Sequence, residues 1–368
     1  MQKISAFLRR KDIVFSPKRY FIDAMSAMAQ GLFCTLLVGT ILNTLGTQLH
    51  IGFLTDIIVT LGKGDGAVRY TIGGLCSAMV GPGMAVAIGQ ALNAPPMVLF
   101  SLIPVGFATN AMGGAGGPLA VLFVAIIAAE IGKAVSKETK IDILVTPIVT
   151  ILSGIGAAAL IAAPIGTAAS AVGKAIMWAT ELQPFFMGII VSVVIGIALT
   201  LPISSAAICA ALGLTGLAGG AAVAGCCAQM VGFAVMSFRE NRWGGLAAQG
   251  LGTSMLQMGN IVRNPRIWIP PTLASAITGP IATCIFRMEM NGAAVSSGMG
   301  TCGLVGQIGV YTGWLADIEA GTKAAITAMD WIGLVLVCFV LPAILSWLIA
   351  LPLRKWGWIG EDDLKLDL

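Results

Sequence analysis

Residues 182–238 form one stretch without a single aspartate, glutamate, lysine or arginine. This stretch is far longer than the roughly 20 apolar residues that one membrane-spanning helix requires. Near its middle, the string LTLPISSAAI at 199–208 contains Thr200, Pro202 and the adjacent Ser204 and Ser205. Because proline removes a backbone donor and clashes with the preceding turn, this string predicts a broken helix. Such a break is stable in a membrane only where it is buried in protein or lines a polar cavity.

The rest of the chain has the same apolar character. Of the 368 residues, 57% are hydrophobic and 10% are charged, and the mean hydropathy is +0.93. An ordinary soluble domain carries about 25% charged residues. The further charge-free runs are 70–129, 143–173, 243–262, 267–286, 290–316 and 331–353. Together these runs predict an all-α polytopic protein of a lipid bilayer, with about ten transmembrane helices.

The basic residues predict its orientation. Those before the first apolar segment are Lys3, Arg9, Arg10, Lys11, Lys18 and Arg19. Further basic clusters lie at 133–140, 239–242, 263–266 and 354–355. The positive-inside rule places these clusters and both termini in the cytoplasm, which requires an even number of crossings. We interpret the basic segment 1–20 as a topology signal that faces lipid headgroups, and not as a nucleic-acid site.

Two segments do not fit this count as complete crossings. The predicted crossings before residue 213 are 21–46, 70–91, 96–112, 118–133, 143–167 and 185–212. Residues 213–238 and 291–311 must then each begin and end on one side, so we predict two re-entrant hairpins. The piece 51–61 is too short to span and is interfacial or re-entrant. Residues 243–262 are ambiguous, and if they span, one hairpin assignment is wrong.

One charged string, CIFRMEMNG, lies between two apolar runs and contains Arg287, Glu289 and Asn291. In an extended segment, alternate residues lie on one side, where these three side chains could divide the hydroxyls of a polyol among donors and acceptors. Ionisable groups at membrane depth usually mark a functional site. The alternative is that Arg287 extends to the interface at a helix end and pairs with Glu289.

Other polar residues are candidates for the same cavity. Thr200, Ser204 and Ser205 could line it with hydroxyls, or their hydroxyls could satisfy a structural kink at Pro202. Asn110 and Gln307 are further substrate-binding candidates in apolar sequence, although a lone amide in such sequence more often joins two helices.

Nothing in the sequence predicts a metal site or a cofactor. The eight cysteines contain no CxxC pair, and His50 is the only histidine. The string GKGDG at 62–66 includes a GxGD pattern of intramembrane aspartyl proteases, but no second aspartate follows a tyrosine. No HExxH, P-loop or GxSxG motif is present, which gives an ATPase or a metalloprotease no support.

Three long strings resemble a known family. They are PKRYFIDAMSAMAQGLF at 17–33, ELQPFFMGIIVSVVIGIALTLPISSAAI at 181–208 and MNGAAVSSGMGTCGLVGQIG at 290–309. They are similar to the PfoR-like branch of the EIIC membrane components of the bacterial sugar phosphotransferase system. The resemblance implies a homodimer in the bacterial inner membrane. It also implies a scaffold and dimerisation half at 21–180, a transport domain with two re-entrant hairpins at 181–353 and a cytoplasmic tail at 354–368.

The resemblance also implies a function. A sugar or similar polar solute would bind the transport domain and move by alternating access, and separate cytoplasmic EIIA and EIIB proteins would supply its phosphoryl group. Glu289 is the candidate for a base beside the sugar hydroxyl. No phospho-accepting cysteine or histidine is identified, and the histidine that glucose-type members place near the sugar has no counterpart, since His50 lies in the first half. Two alternatives stay open: a membrane sensor or regulator with a transporter fold, and a secondary transporter that does not use phosphate.

Overall fold

The computed structural model of the chain describes residues 2–63, 67–180 and 182–366. It is 79% helical, which confirms the predicted all-α class. One short antiparallel hairpin pairs β1 (Val59–Leu61) with β2 (Val68–Tyr70). Glu181, with which the predicted transport domain begins, lies outside the described residues, as does most of the GKGDG string.

The contacts divide the chain into two compact units, Met1–Ala168 and Ala169–Leu368. The helices of the first unit are α1 (Gln2–Arg10), α2 (Ala24–Leu32), α3 (Val38–Gln48), α4 (Gly52–Thr55), α5 (Ile72–Ala78), α6 (Val80–Ala91), α7 (Pro96–Gly113) and α8 (Gly117–Val135). Helix α9 (Asp142–Thr180) continues past residue 168. Within this unit, α6 packs against α2, α7 and α8. Gly81 and Gly106 let α6 and α7 approach so closely that a Cβ on either residue would meet the carbonyl of the other.

The second unit is built around one buried helix. Its helices are α10 (Pro184–Thr200), α11 (Ser205–Leu212), α12 (Gly216–Met236), α13 (Phe238–Ala247), α14 (Met258–Arg263), α15 (Ile269–Pro280), α16 (Val305–Glu319), α17 (Ala328–Val335) and α18 (Leu341–Lys355). Helix α12 packs against α10, α15 and α18. The Gly225 position on α12 faces the Ser192 carbonyl of α10, where a Cβ has no room. Small residues therefore set the spacing of this bundle.

Five helical stretches are long and apolar enough to cross a membrane within the part of the chain that the structure describes. They are Lys18–Thr47, Pro96–Val135, Asp142–Ala171, Gly216–Met236 and Ala328–Lys355. The pair α5 and α6, bent by 52°, would bring the number to six. A polytopic membrane protein is thus confirmed, while the figure of ten helices stays a prediction.

The re-entrant hairpin that the sequence predicts at 213–238 is wrong. These residues form the continuous helix α12 after a turn at Gly213, whose φ of 60° ends α11. The glycines inside α12, from Gly219 to Gly232, do not reverse the chain, because the helix is continuous and they are contact points with neighbouring segments. At Gly220, for example, a Cβ would meet the Met288 carbonyl.

The other ambiguous segments are irregular. Residues 291–311 contain two short 3₁₀ turns, Ala294–Gly298 and Cys302–Leu304, before α16 begins, and a re-entrant course for them stays a prediction. Residues 243–262 are divided among α13, a π-helical turn, a 3₁₀ turn and α14, and they form no single spanning helix. The break predicted at Pro202 is present, because α10 ends at Thr200 and α11 begins at Ser205.

Candidate functional site

The string that contains Arg287, Glu289 and Asn291, called the extended string below, leaves the helix at Arg287 and pairs as a strand does at Met290. A π-helical turn, Ile281–Ile285, ends the preceding helix, and Arg287 adopts a φ of 47°. Met290 then forms an antiparallel bridge with Gly216, with N···O distances of 3.0 and 3.1 Å. Met288 and Met290 are buried, whereas Arg287 and Glu289 are exposed. The alternation predicted from the sequence is therefore present, and the polar side chains share the side away from the core.

These polar side chains line a cavity of about 340 Å³. Its lining residues are Arg287, Glu289, Asn291, Trp314, Asp317, Thr322, Lys323 and Asp330. They come from the extended string, from the C-terminal part of α16, from the loop after it and from the first turn of α17. The second unit thus brings together two stretches that are separate in sequence, 287–291 and 314–330.

Asn291 connects the two sides of the cavity. Its Nδ2 donates to Asp317 Oδ2 and Oδ1 at 2.9 and 3.1 Å, and to Glu289 Oε2 at 3.1 Å. Its Oδ1 accepts the Gly216 N–H at 3.1 Å. Because both ends of the amide are engaged, its orientation is fixed and it holds two carboxylates, one from each side, next to each other.

The loop between α16 and α17 supplies the opposite charge. Lys323 Nζ lies 2.9 Å from Asp330 Oδ1 and 5.9 Å from the centroid of the Trp314 ring. Asp330 also accepts the Thr327 N–H at 2.7 Å in a capping box at the start of α17. This cap fixes where the Asp330 carboxylate stands.

The lining includes three carboxylates and two cationic side chains. Carboxylates accept hydroxyl protons, while guanidinium and ammonium groups donate to hydroxyl oxygens. Trp314, which is 4% exposed, adds an aromatic surface. Such an arrangement can bind a neutral solute with many hydroxyls, and its excess of negative charge disfavours an anionic one.

Residues 22–366 of the chain match the model of one family, described as phosphotransferase system, EIIC. The chain belongs to this family. It is therefore a membrane component of sugar transport, as the sequence predicts, and the PfoR-like branch stays a prediction. No match was found among curated proteins or among solved structures.

In this EIIC protein, the residues around the Pro202 break contact residues other than those that line the cavity. Thr200 is buried, with its hydroxyl 2.8 Å from Ser254 Oγ and 3.4 Å from Gln229 Oε1. Ser204 accepts the Ala207 N–H as the cap of α11. These contacts agree with the structural alternative, in which hydroxyls satisfy the break.

Ser205 links the break to the segment that follows Asn291. Its hydroxyl donates to the Gly298 carbonyl at 2.7 Å, in the 3₁₀ turn a few residues after Asn291. None of Thr200, Ser204 and Ser205 lines the cavity described above. The string 199–208 and the string 287–291, which we expected to line the same cavity, therefore do not line it together, and solute binding by these hydroxyls stays a prediction.

Neither Asn110 nor Gln307 of the EIIC protein lines this cavity. Asn110 lies on α7 in the first unit, where its side chain packs against Gly81 and Gly117. Gln307 is buried on α16 and donates to Cys227 Sγ at 3.2 Å, while its Oε1 has no hydrogen-bond partner among the described residues. Both positions fit contacts between neighbouring helices, and their role in binding stays a prediction.

Sequence reasoning missed Asp317, Thr322, Lys323 and Asp330, and left open whether Trp314 faces a cavity. One signal was available for Asp317, since it directly follows the charge-free run 290–316. A carboxylate at the end of such a run is a candidate for a functional site for the same reason as Glu289. Its proximity to Asn291, however, depends on how α16 folds back.

Proposed function

We propose that the cavity between the extended string and the 314–330 segment binds a neutral sugar or a similar polyol. The observation that carries this proposal is the Asn291 amide, which holds Glu289 and Asp317 side by side at a site that also contains Lys323 and Trp314. Adjacent carboxylates suit the neighbouring hydroxyls of one sugar ring, and the family supplies sugar as the solute class.

The cavity would receive solute from outside the cell. Asp330 lies in the first turn of the 28-residue apolar stretch Ala328–Lys355, whose last turn carries Arg354 and Lys355. At about 1.5 Å per residue, Asp330 and Arg354 are about 35 Å apart, which is enough to cross a hydrocarbon core of about 30 Å. The positive-inside rule assigns the Arg354 end to the cytoplasm and the cavity to the outer side.

Transfer of a phosphoryl group from a cytoplasmic protein then requires that the bound sugar changes sides. The EIIC family supports separate EIIA and EIIB partners. We propose alternating access, with 181–353 as the transport domain and 21–180 as the scaffold of a homodimer. Glu289 would bind the sugar from outside and, after the movement, act as a base beside the hydroxyl that is phosphorylated.

Uptake into proteoliposomes tests the proposal. Labelled hexoses, hexitols and disaccharides are offered with and without phosphorylated EIIB. Glu289→Gln should abolish uptake of the transported sugar, because the neutral amide is a weaker acceptor for hydroxyl protons. Glu319→Gln changes an exposed carboxylate at the end of α16 that does not line the cavity, and it should leave uptake unchanged.

The outcomes separate the alternatives. Uptake that depends on the phosphoryl donor supports an EIIC permease, whereas uptake driven by an ion gradient alone identifies a secondary transporter. Sugar binding without uptake under any condition identifies a sensor. If the Glu289→Gln protein folds and transports like the wild type, this cavity is not the sugar site.

A further inference from the structure

A second cavity, of about 460 Å³, lies near the C-terminal end of α18. It is lined by the ends of α12 and α18 and by α13, and three of its residues are Arg239, Arg242 and Arg354. No residue of this cavity takes part in the candidate sugar site. The proposed function gives it no role.

The walls of this cavity are amphipathic along the direction of α18. Trp347 and Leu351 line it from α18 and Leu246 from α13. Trp347 lies about 10 Å along the helix from Arg354, at about 1.5 Å per residue. The apolar wall is therefore separated from the charged rim, which consists of the three arginines. The acyl chains and the headgroups of a lipid leaflet are separated in the same way.

The three arginines differ in how far they are neutralised. Arg354 is satisfied by Glu240 Oε1 at 2.8 Å and by the Met236 carbonyl at 3.0 Å. Arg239 pairs with Glu361 at 3.2 Å, but both side chains are exposed, and such pairs are weak.

Arg242 makes no ion pair with any described residue. Its backbone adopts φ 53° and ψ −149°, which an arginine rarely does and which places it at the kink of α13. The rim therefore carries more positive charge than its two carboxylates neutralise.

We propose that this cavity binds an anionic phospholipid, with its phosphate between Arg239 and Arg242 and an acyl chain against Trp347 and Leu351. Guanidinium groups are suited to phosphate oxygens, and basic pockets between membrane helices at this depth recognise lipid headgroups. The apolar wall favours a lipid over free phosphate. Trp243 on α13 is 74% exposed, as is typical of aromatic side chains at the membrane interface.

Native mass spectrometry of the full chain, released from detergent micelles, tests the proposal. The probes are dioleoylphosphatidylglycerol, dioleoylphosphatidylcholine and inorganic phosphate. An arginine near an anionic headgroup strengthens binding about fivefold. Arg239→Gln or Arg242→Gln should therefore weaken phosphatidylglycerol binding about fivefold, and the double variant should weaken it more than tenfold. Arg263→Gln is the matched control, because Arg263 is an exposed arginine that does not line the cavity.

The proposal is supported if phosphatidylglycerol is retained in preference to phosphatidylcholine, the double variant loses that preference and Arg263→Gln keeps it. Equal retention of both lipids by the wild type would overturn it. So would an equal loss in Arg263→Gln, which would indicate general surface charge. Displacement of phosphatidylglycerol by millimolar inorganic phosphate would identify a free-anion site instead.

Discussion

Asn291 donates to both carboxylate oxygens of Asp317, at 2.9 and 3.1 Å, across a sequence separation of 26 residues. The same amide nitrogen reaches Glu289, and its oxygen accepts from the Gly216 backbone. Asn291 thereby links the extended string to α16 and to the start of α12. Two of the three carboxylates of the candidate sugar site, Glu289 and Asp317, are therefore held next to each other by this one side chain.

Asp317→Asn should weaken sugar binding roughly tenfold or more. The substitution replaces a charged acceptor for both Asn291 and a sugar hydroxyl, and hydrogen bonds to charged groups contribute about 1.5–3 kcal/mol each. Equilibrium binding of the sugar identified by uptake measures the effect, with Glu319→Gln as the control on the same helix. Unchanged affinity in a folded Asp317→Asn protein would remove Asp317 from the site.

Gly220→Ala on α12 should disturb the same site through the buried side of the extended string. Alanine usually favours a helix over glycine, but a Cβ here would meet the Met288 carbonyl, which is backbone and has to move. Overpacking of this kind costs about 1–3 kcal/mol and would displace the 287–291 string. Thermal unfolding and sugar uptake should both decline. Gly244→Ala, where an added Cβ in α13 meets no atom within 4 Å, should lower neither of them.

Features set by neighbouring residues could be predicted from the sequence. The break at Pro202 follows from proline's missing donor, and the shared side of Arg287 and Glu289 follows from the period of an extended chain. The hydropathy of the charge-free runs was sufficient to predict a polytopic membrane protein.

Features set by tertiary packing could not. Asp317 and Asp330 reach the site only because α16 and α17 converge on the extended string, which no local pattern reports. The wrong hairpin at 213–238 has a similar cause. A charge count constrains which side a segment ends on, but glycines such as Gly225 permit either a turn or a close helix contact, and only the neighbouring Ser192 carbonyl decides.

Lys133→Met should destabilise the first unit by roughly 3–5 kcal/mol, because removing one partner of a buried ion pair leaves the other charge uncompensated. Lys133 is 2% exposed and lies 3.1 Å from Glu130. Its ammonium also donates to the Asp12 and Leu92 carbonyls at 2.7 and 2.8 Å. A lower melting temperature in detergent checks this.

Three further variants make the interpretation specific, and one of them is the single variant Glu130→Gln, which the comparison with the double variant requires. Lys140→Met removes an exposed lysine from the loop that follows α8 and should leave the melting temperature unchanged. Adding Glu130→Gln to Lys133→Met should restore part of the loss, because the uncompensated carboxylate is gone. A double variant as unstable as the sum of the two single variants would contradict the ion-pair explanation.

Protonation of the Asp12 carboxylate in acid should weaken the hydrogen bonds that hold the N-terminal segment in place. The hydrogen bond from Arg19, helped by one from Asn93, lowers the pKa of the Asp12 carboxyl from 3.8 to about 2. Because the folded-state pKa is depressed, its stabilisation is complete above pH of about 4 and is lost as the pH falls from there toward 2. Hydrogen exchange of residues 11–20 should therefore quicken between pH 4 and pH 2.5, after correction for intrinsic rates. Asp12→Asn tolerates the φ of 52° at this position and should show faster exchange at pH 5 with little further change in acid. The same acid response in both proteins would assign it to another group.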